Sequence, residues 1–353
     1  MTFALLMISI LSCILIFLIC FSIQNSSALY FGHDIPIVTN LGNSSILPIQ
    51  VAATEKGDVY LTWVDNNNIY FTSSHNNGDK FSSPILLADN NTSSLSSSSS
   101  SPQITATEKG DVYLTWVELN NSTGDSNIEF INSNNGGQNF TAKKELRGGD
   151  TLSFSPQIAA TEKGDVYVVW VDKSSKTGDT DITFRSSNDS GKNFDNRERL
   201  RRNNLLSSSP QVTATEKGGV YLVWTDKNST TTKSQISFRS SSDSGKNFER
   251  IINLNKDEEN LLNSSSPQIV ATPNNSAFVV WVDNHIQFRE ILVNDSVVGV
   301  PISLSNKTIT SLSPQLAVAN NGNVYVFWID KDGIMDRSIH FKRINEEYFD
   351  RNS

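Results

Sequence analysis

The residues best suited to chemistry in this chain recur at fixed intervals. An acid stands two residues after each of the six tryptophans: Asp65, Glu118, Asp172, Asp226, Asp283 and Asp330. A glutamine precedes each tryptophan by 13 residues: Gln50, Gln103, Gln157, Gln211, Gln268 and Gln315. Carboxylates in such a series accept hydrogen bonds or hold cations, and amides read neutral hydroxyls. Two readings stay open. In one, the acids cap turns and the amides bond across neighbouring strands. In the other, both sets form a hydrogen-bonding, cation-tolerant face for a neutral glycan or a protein loop.

Other chemistries are harder to place. The only cysteines, Cys13 and Cys20, lie in the first apolar stretch, so no disulfide or thiolate site is expected beyond it. His33, His75, His285 and His340 are scattered, without the paired spacing of a zinc helix. No metal site or cofactor is therefore expected, although the acidic face could take a cation. The formal net charge is −8, and the one basic cluster is Arg197, Arg199, Arg201 and Arg202. That balance disfavours a nucleic-acid partner.

The elements that position these residues are legible because the chain repeats itself. Thr-Glu-Lys-Gly appears at Thr54, Thr107, Thr161 and Thr215, and the tryptophans stand 53, 54, 54, 57 and 47 residues apart. Each repeat reads as four strands. Strand A begins at the glutamine, and a Gly-containing turn leads to strand B, of which Val-Tyr-Val-Val-Trp-Val at 166–171 is one copy. Val166, Val168 and Trp170 face one side of it and Tyr167, Val169 and Val171 the other, so both faces need cover. Strand C carries Ile-x-Phe, as at Ile182 and Phe184, and a short apolar stretch such as Ile251 to Leu254 supplies strand D.

Repeats of this size with four strands predict an all-β, six-bladed β-propeller of antiparallel blades over residues 34–345. The repeats run about 47–100, 101–154, 155–208, 209–264, 265–311 and 312–345. Residues 34–42 are expected to complete the last blade and close the ring. The polar Asn90–Ser94 and Ser96–Ser101 runs predict a mobile loop.

Four repeats carry a fixed turn between strands C and D. It reads Ser187-x-Asp189-x-Gly191-x-x-Phe194 and Ser241-x-Asp243-x-Gly245-x-x-Phe248 in the third and fourth. The first two have Asn for Asp: Ser74, Asn76, Gly78 and Phe81, then Ser133, Asn135, Gly137 and Phe140. The Asp or Asn accepts backbone N–H bonds, Gly takes a left-handed conformation, and the aromatic packs into the blade. This turn resembles the Asp-box, or BNR repeat, of the sialidase superfamily, with Phe in place of Trp. The resemblance implies a structural role for these residues at the blade periphery. The same box also occurs in sortilin-type and plant-type propellers.

Sialidase activity, as the resemblance would imply it, needs three arginines on the sugar carboxylate, a tyrosine nucleophile assisted by glutamate, and an aspartate acid/base. No catalytic residue is assignable here. The family's Arg-Ile-Pro signature is replaced by Asp34-Ile35-Pro36. Tyr60, Tyr113, Tyr167, Tyr221 and Tyr325 share one strand-B position, and Arg185, Arg239 and Arg289 share one strand-C position. Both registers point to packing, although Arg147, Arg202 and Arg289 could converge from loops.

Phe3 to Phe21 is almost wholly apolar and uncharged, so residues 1–28 read as a signal peptide or a membrane anchor. Asn-x-Ser/Thr triplets such as those at Asn43, Asn121, Asn139, Asn188, Asn228, Asn263 and Asn306 suit an exported chain, though an Asn/Ser-rich sequence also makes them by chance. The expectation is a secreted or surface-anchored module that binds glycan or an extracellular protein without catalysis. The alternative is an exo-α-sialidase-type hydrolase.

Overall fold

The computed structural model describes residues 36–37, 48–88, 97–120, 123–147, 152–200, 205–231, 233–255, 264–272, 276–283, 285–292, 297–305, 310–319, 322–332 and 336–344. Those residues form strands and turns only, in two compact units, 1–158 and 159–353. The leader (1–28) and most of the expected closing strand lie outside the described residues.

In the first unit, β1 (Ile49–Ala53), β2 (Val59–Asp65), β3 (Asn68–Ser74) and β4 (Ile85–Ala88) form an antiparallel meander. A second consists of β5 (Ser97–Ala106), β6 (Val112–Asn120), β7 (Ser126–Ser133) and β8 (Lys144–Arg147). The chain crosses into the second unit within β9 (Leu152–Ala160). There β10 (Val166–Lys173), β11 (Thr180–Ser187) and β12 (Glu198–Arg199) precede the meander β13 (Leu205–Ala214), β14 (Val220–Asn228), β15 (Ser234–Ser241) and β16 (Ile252–Asn253). Next come β17 (Ser265–Ala271), β18 (Ser276–Asp283) and β19 (His285–Leu292), whose outer edge takes both β20 (Val297–Val298) and β21 (Ile302–Ser303). The three strands β22 (Thr310–Val318), β23 (Val324–Asp332) and β24 (Asp336–Ile344) end the series.

The core lies between successive sheets. In the second unit Tyr221 and Val223 of β14 pack with Ala277, Val279 and Trp281 of β18. The opposite face of β18, Phe278 and Val280, packs with Val324, Val326 and Trp328 of β23. The first unit repeats the arrangement, with Tyr60 of β2 in one cluster with Val112, Leu114 and Trp116 of β6. A face bearing a tyrosine, or Phe278 in β18, thus meets a tryptophan face each time. All six tryptophans are buried.

Polar links add register to this stacking. The hydroxyls of Thr180 and Ser234, each opening a strand C, donate to Ser207 O and Ser264 O at the next strand A, both at 2.7 Å. Ser126 does the same to Ser153 O within the first unit, at 2.7 Å. Between adjacent turns, Glu55 N donates to Glu108 Oε1 and Glu162 N to Glu216 Oε1, again at 2.7 Å.

Two expectations need correction. Ser97 to Ser101 lie inside β5, with Ser97 to Ser100 paired to Asn120, Leu119, Glu118 and Val117 of β6, and are not a loop. A ladder hydrogen bond needs only main-chain groups, so a partner strand can order a segment whose side chains could not build a core. The second correction concerns the glutamines. Strand A runs on ahead of them, so that Gln103, Gln157, Gln211 and Gln315 stand mid-strand. The cause is a bulge at Ser-Pro. Ser101, Ser155, Ser209, Ser266 and Ser313 all take φ between 51° and 54°. The ladder register shifts between Ser100 and Gln103, Ser208 and Gln211, Ser265 and Gln268, and Leu312 and Gln315. Proline has no N–H to give the ladder, so the bulge absorbs it and pairing resumes beyond.

Trp170 is fully buried and its indole N–H donates to Asp172 Oδ1 at 2.7 Å. Replacing it by alanine should cost ~3–5 kcal/mol, as for a large buried aromatic. Equilibrium urea unfolding checks this, and a near-neutral result would place the tryptophans at an exposed surface.

Candidate functional site

The Ser-x-Asp/Asn-x-Gly-x-x-Phe turns are closed by their own side chains. Ser187 Oγ donates to Asp189 Oδ1 at 2.7 Å and accepts from Gly191 N, while Asp189 Oδ1 accepts from Asn193 N. Ser241, Asp243, Gly245 and Asn247 repeat these contacts. Ser74 with Asn76 and Gly78, and Ser133 with Asn135 and Gly137, repeat them with an amide as acceptor. Hydrogen bonds from Ser241 and Asn247 hold the Asp243 carboxyl down to about 2. Each turn then docks on the A–B turn of its own repeat. Asn77 N, Gly136 N, Ser190 N and Ser244 N donate to the carbonyls of Gly57, Gly110, Gly164 and Gly218. The closing aromatics reach the preceding sheet, with Phe140 edge-on to Phe71 and Phe248 to Phe184, both at 5.0 Å between centroids.

The recurrent arginines serve the same turns. Arg185 donates to Asp195 O and Phe194 O, at 2.7 and 3.0 Å, with its guanidinium over the Phe194 ring. Arg239 donates to Glu249 O and Phe248 O, and across to Leu200 O at 3.2 Å. Arg289 likewise reaches Gly299 O and Leu254 O. These guanidiniums bind main-chain carbonyls and do not converge on a common point. Of the other arginines weighed for a triad, Arg202 lies outside the described residues and Arg147 ends β8 in the first unit. The five strand-B tyrosines are buried, and burial pushes Tyr221 up to about 12 and raises Tyr60 and Tyr167 further. A phenol held in that state is a poor nucleophile.

The acids divide by depth. Asp172, Asp226, Asp283 and Asp330 are buried, whereas Asp65 and Glu118 are half-buried. Asp172 accepts from the Trp170 indole, from Thr183 Oγ1 at 3.0 Å and from Arg197 at 3.5 Å. Asp226 accepts from Ser207 Oγ and Ser237 Oγ, both at 2.6 Å. Asp330 accepts from Ser311 Oγ at 2.5 Å and faces His340 Nε2 at 3.3 Å. Glu118 is ion-paired with Lys143. The glutamines Gln50, Gln103, Gln157, Gln211, Gln268 and Gln315 are all half-buried, each beyond the Ser-Pro step where that step exists.

Within a sheet, acid and glutamine are therefore not level: Gln211 stands opposite Val223 and Gln315 opposite Phe327. Level with Asp226 and Asp330 stand Ser207 and Ser311, each four residues ahead of its glutamine. Sequence reasoning passed over these serines, although Ser99, Ser153, Ser207, Ser264 and Ser311 recur at that spacing. It also passed over Glu129, a buried acid opposite Trp116. Among the described residues, no three His, Cys, Asp or Glu side chains gather as a metal ion would require.

No family model and no curated protein matches the chain. Solved structures do. The α-L-arabinofuranosidase Arb93A of Fusarium graminearum aligns at TM-score 0.59 and 12% identity, over 86% of this chain and 95% of that one. The α-L-arabinanase of Penicillium chrysogenum aligns at 0.55 and 14%, over 85% and 93%. The NanB sialidase of Streptococcus pneumoniae aligns at 0.51 and 11%, over 82% of this chain and 66% of its own length. Such likeness carries the fold alone. The chain has the all-β, propeller-like architecture found in sialidases and arabinofuranosidases.

Asp226→Ala would leave the Ser207 and Ser237 hydroxyls buried without their acceptor. The expected cost is ~2–4 kcal/mol, roughly that of two orphaned hydroxyls. Thermal unfolding of the variant measures it. An unchanged midpoint would return Asp226 to the candidate ligand face.

Proposed function

We propose that the chain is an exported or surface-anchored six-bladed propeller that binds glycan or an extracellular protein and does not cleave it. One observation carries the non-catalytic reading: the recurrent guanidiniums of Arg185, Arg239 and Arg289 bind main-chain carbonyls. A sialidase site needs such forks free to clamp a carboxylate. Asp34 ahead of Ile35-Pro36 supports the same reading, as does the burial of the strand-B tyrosines. The glycan class is supported by neighbours in fold whose names are those of sialidases and arabinan-directed enzymes. Of the candidate ligand residues, the glutamines, Asp65 and Glu118 are the half-buried ones, and the amides suit neutral sugar hydroxyls. Export rests on the apolar Phe3–Phe21 stretch, acting as signal or anchor.

The second reading is an exo-α-sialidase-type hydrolase. A glycan array, run beside fluorogenic α-sialoside and α-L-arabinofuranoside assays, separates the two. Binding to neutral glycans without turnover is expected. Steady release of free sialic acid, lost on Arg→Ala substitution at Arg147 or Arg289, would promote the hydrolase reading.

Ring closure is part of the proposal. β24 pairs only with β23 among the described residues, and its Ile339 and Phe341 are 49% and 52% exposed. The Ile35–Leu41 stretch has the apolar residues of a strand D to cover them. Deleting residues 34–42 should lower the unfolding midpoint of the whole protein. An unchanged midpoint in calorimetry would show that the last blade is completed otherwise.

A further inference from the structure

The second repeat departs from the others at one buried position. Opposite the tryptophan, strand C carries Tyr70, Glu129, Thr183, Ser237, Gln287 and His340 in turn. Only the second of these is a carboxyl. In the third repeat one carboxylate, Asp172, takes three donors: Trp170, Thr183 and Arg197. The second repeat has Trp116, Glu118, Glu129 and Lys143 at the matching places, two carboxyls where the third has one. Lys143 is committed to Glu118. Glu129 is 2% exposed, and its Oε2 meets no hydrogen-bond partner among the described residues; neither does Trp116 Nε1 beside it. Across the β7–β8 ladder stands Glu145, an exposed acid that accepts from Asn127 Nδ2 at 2.9 Å. Lys143 therefore serves Glu118, Glu129 and Glu145 at once, while the other cations of β8, Lys144 and Arg147, stand opposite Phe130 and Ile128.

We propose that Glu129 is a proton-operated lock on the second repeat. Protonated, it sits in the niche as a neutral acid, whose carbonyl oxygen can accept from the Trp116 indole. Ionised, it adds a buried negative charge beside Glu118 and Glu145 that Lys143, already paired with Glu118, offsets only in part, and this loosens β7, β8 and the connection between them.

The electrostatics agree with the geometry. Burial raises the Glu129 carboxyl from 4.5 to about 7; Lys143 opposes that rise, and Glu118 and Glu145 add to it. Between those two values the folded chain keeps a proton that the unfolded chain has released. Stability from this group therefore falls as pH rises from 4.5 to about 7 and is constant above. The unfolding constant should grow on the order of 10²-fold across the window. The protein is tightest where mildly acidic surroundings keep the lock closed.

The test is urea unfolding of the full chain from pH 4.5 to 8.5, for wild type and Glu129→Gln. The wild type should lose stability across the window relative to the variant, whose neutral amide cannot ionise. Carbon-detected NMR of the wild-type glutamate carboxyls gives a second readout should Glu129→Gln fail to fold. A Glu129 midpoint near neutrality supports the lock. Parallel unfolding curves, or titration of Glu129 alongside the exposed carboxylates, would overturn it.

Discussion

Everything in this structure depends on a strand that is apolar on both faces. Val220, Leu222 and Trp224 point one way from β14, and Tyr221 and Val223 the other, all of them buried. A lone sheet built on such a strand would expose one full apolar face to water. At ~25 cal/mol per Å² of apolar surface, no solvated arrangement competes with stacking the next sheet against it. Each repeat is thus stable only in company, and the tyrosine face of one covers the tryptophan face of the next.

Apolar stacking has no strong directionality, and the polar contacts supply it. Hydroxyls of Thr180 and Ser234 reach a carbonyl of the following strand A, and the Glu55 and Glu162 amides reach the next turn's glutamate. Arg239 spans from its own turn to Leu200 of the preceding repeat. Removing the Thr180 or Ser234 hydroxyl would leave a buried acceptor without its partner, a cost that a shifted register also incurs. Residues that look like a binding or catalytic inventory in one dimension are largely this scaffold.

That diversion shapes the functional reading. Asp172 and Asp226 serve neighbouring hydroxyls, indole and guanidinium, and the strand-B phenols are buried in the core. The second repeat, with an acid where its neighbours carry uncharged side chains, is the place where protonation can act on the scaffold.

Local pattern determined the central strands of each repeat, the turns and their repetition. Period-two alternation around each tryptophan, Gly at the left-handed turn positions and the Ser-x-Asp-x-Gly spacing are short-range signals, and they need no tertiary partner to be read. Only the tertiary structure decided which polar residues were consumed. Asp172 and Asp226 sit at equivalent sequence positions, yet Asp172 takes the Trp170 indole and the Thr183 hydroxyl whereas Asp226 takes the hydroxyls of Ser207 and Ser237. The serine run at 97–101 becomes a strand because β6 supplies the ladder, which composition cannot reveal. Glu129 reads as one more surface acid until its neighbours bury it. Burial and pairing are properties of the assembled sheets, and the chain states them nowhere in one place.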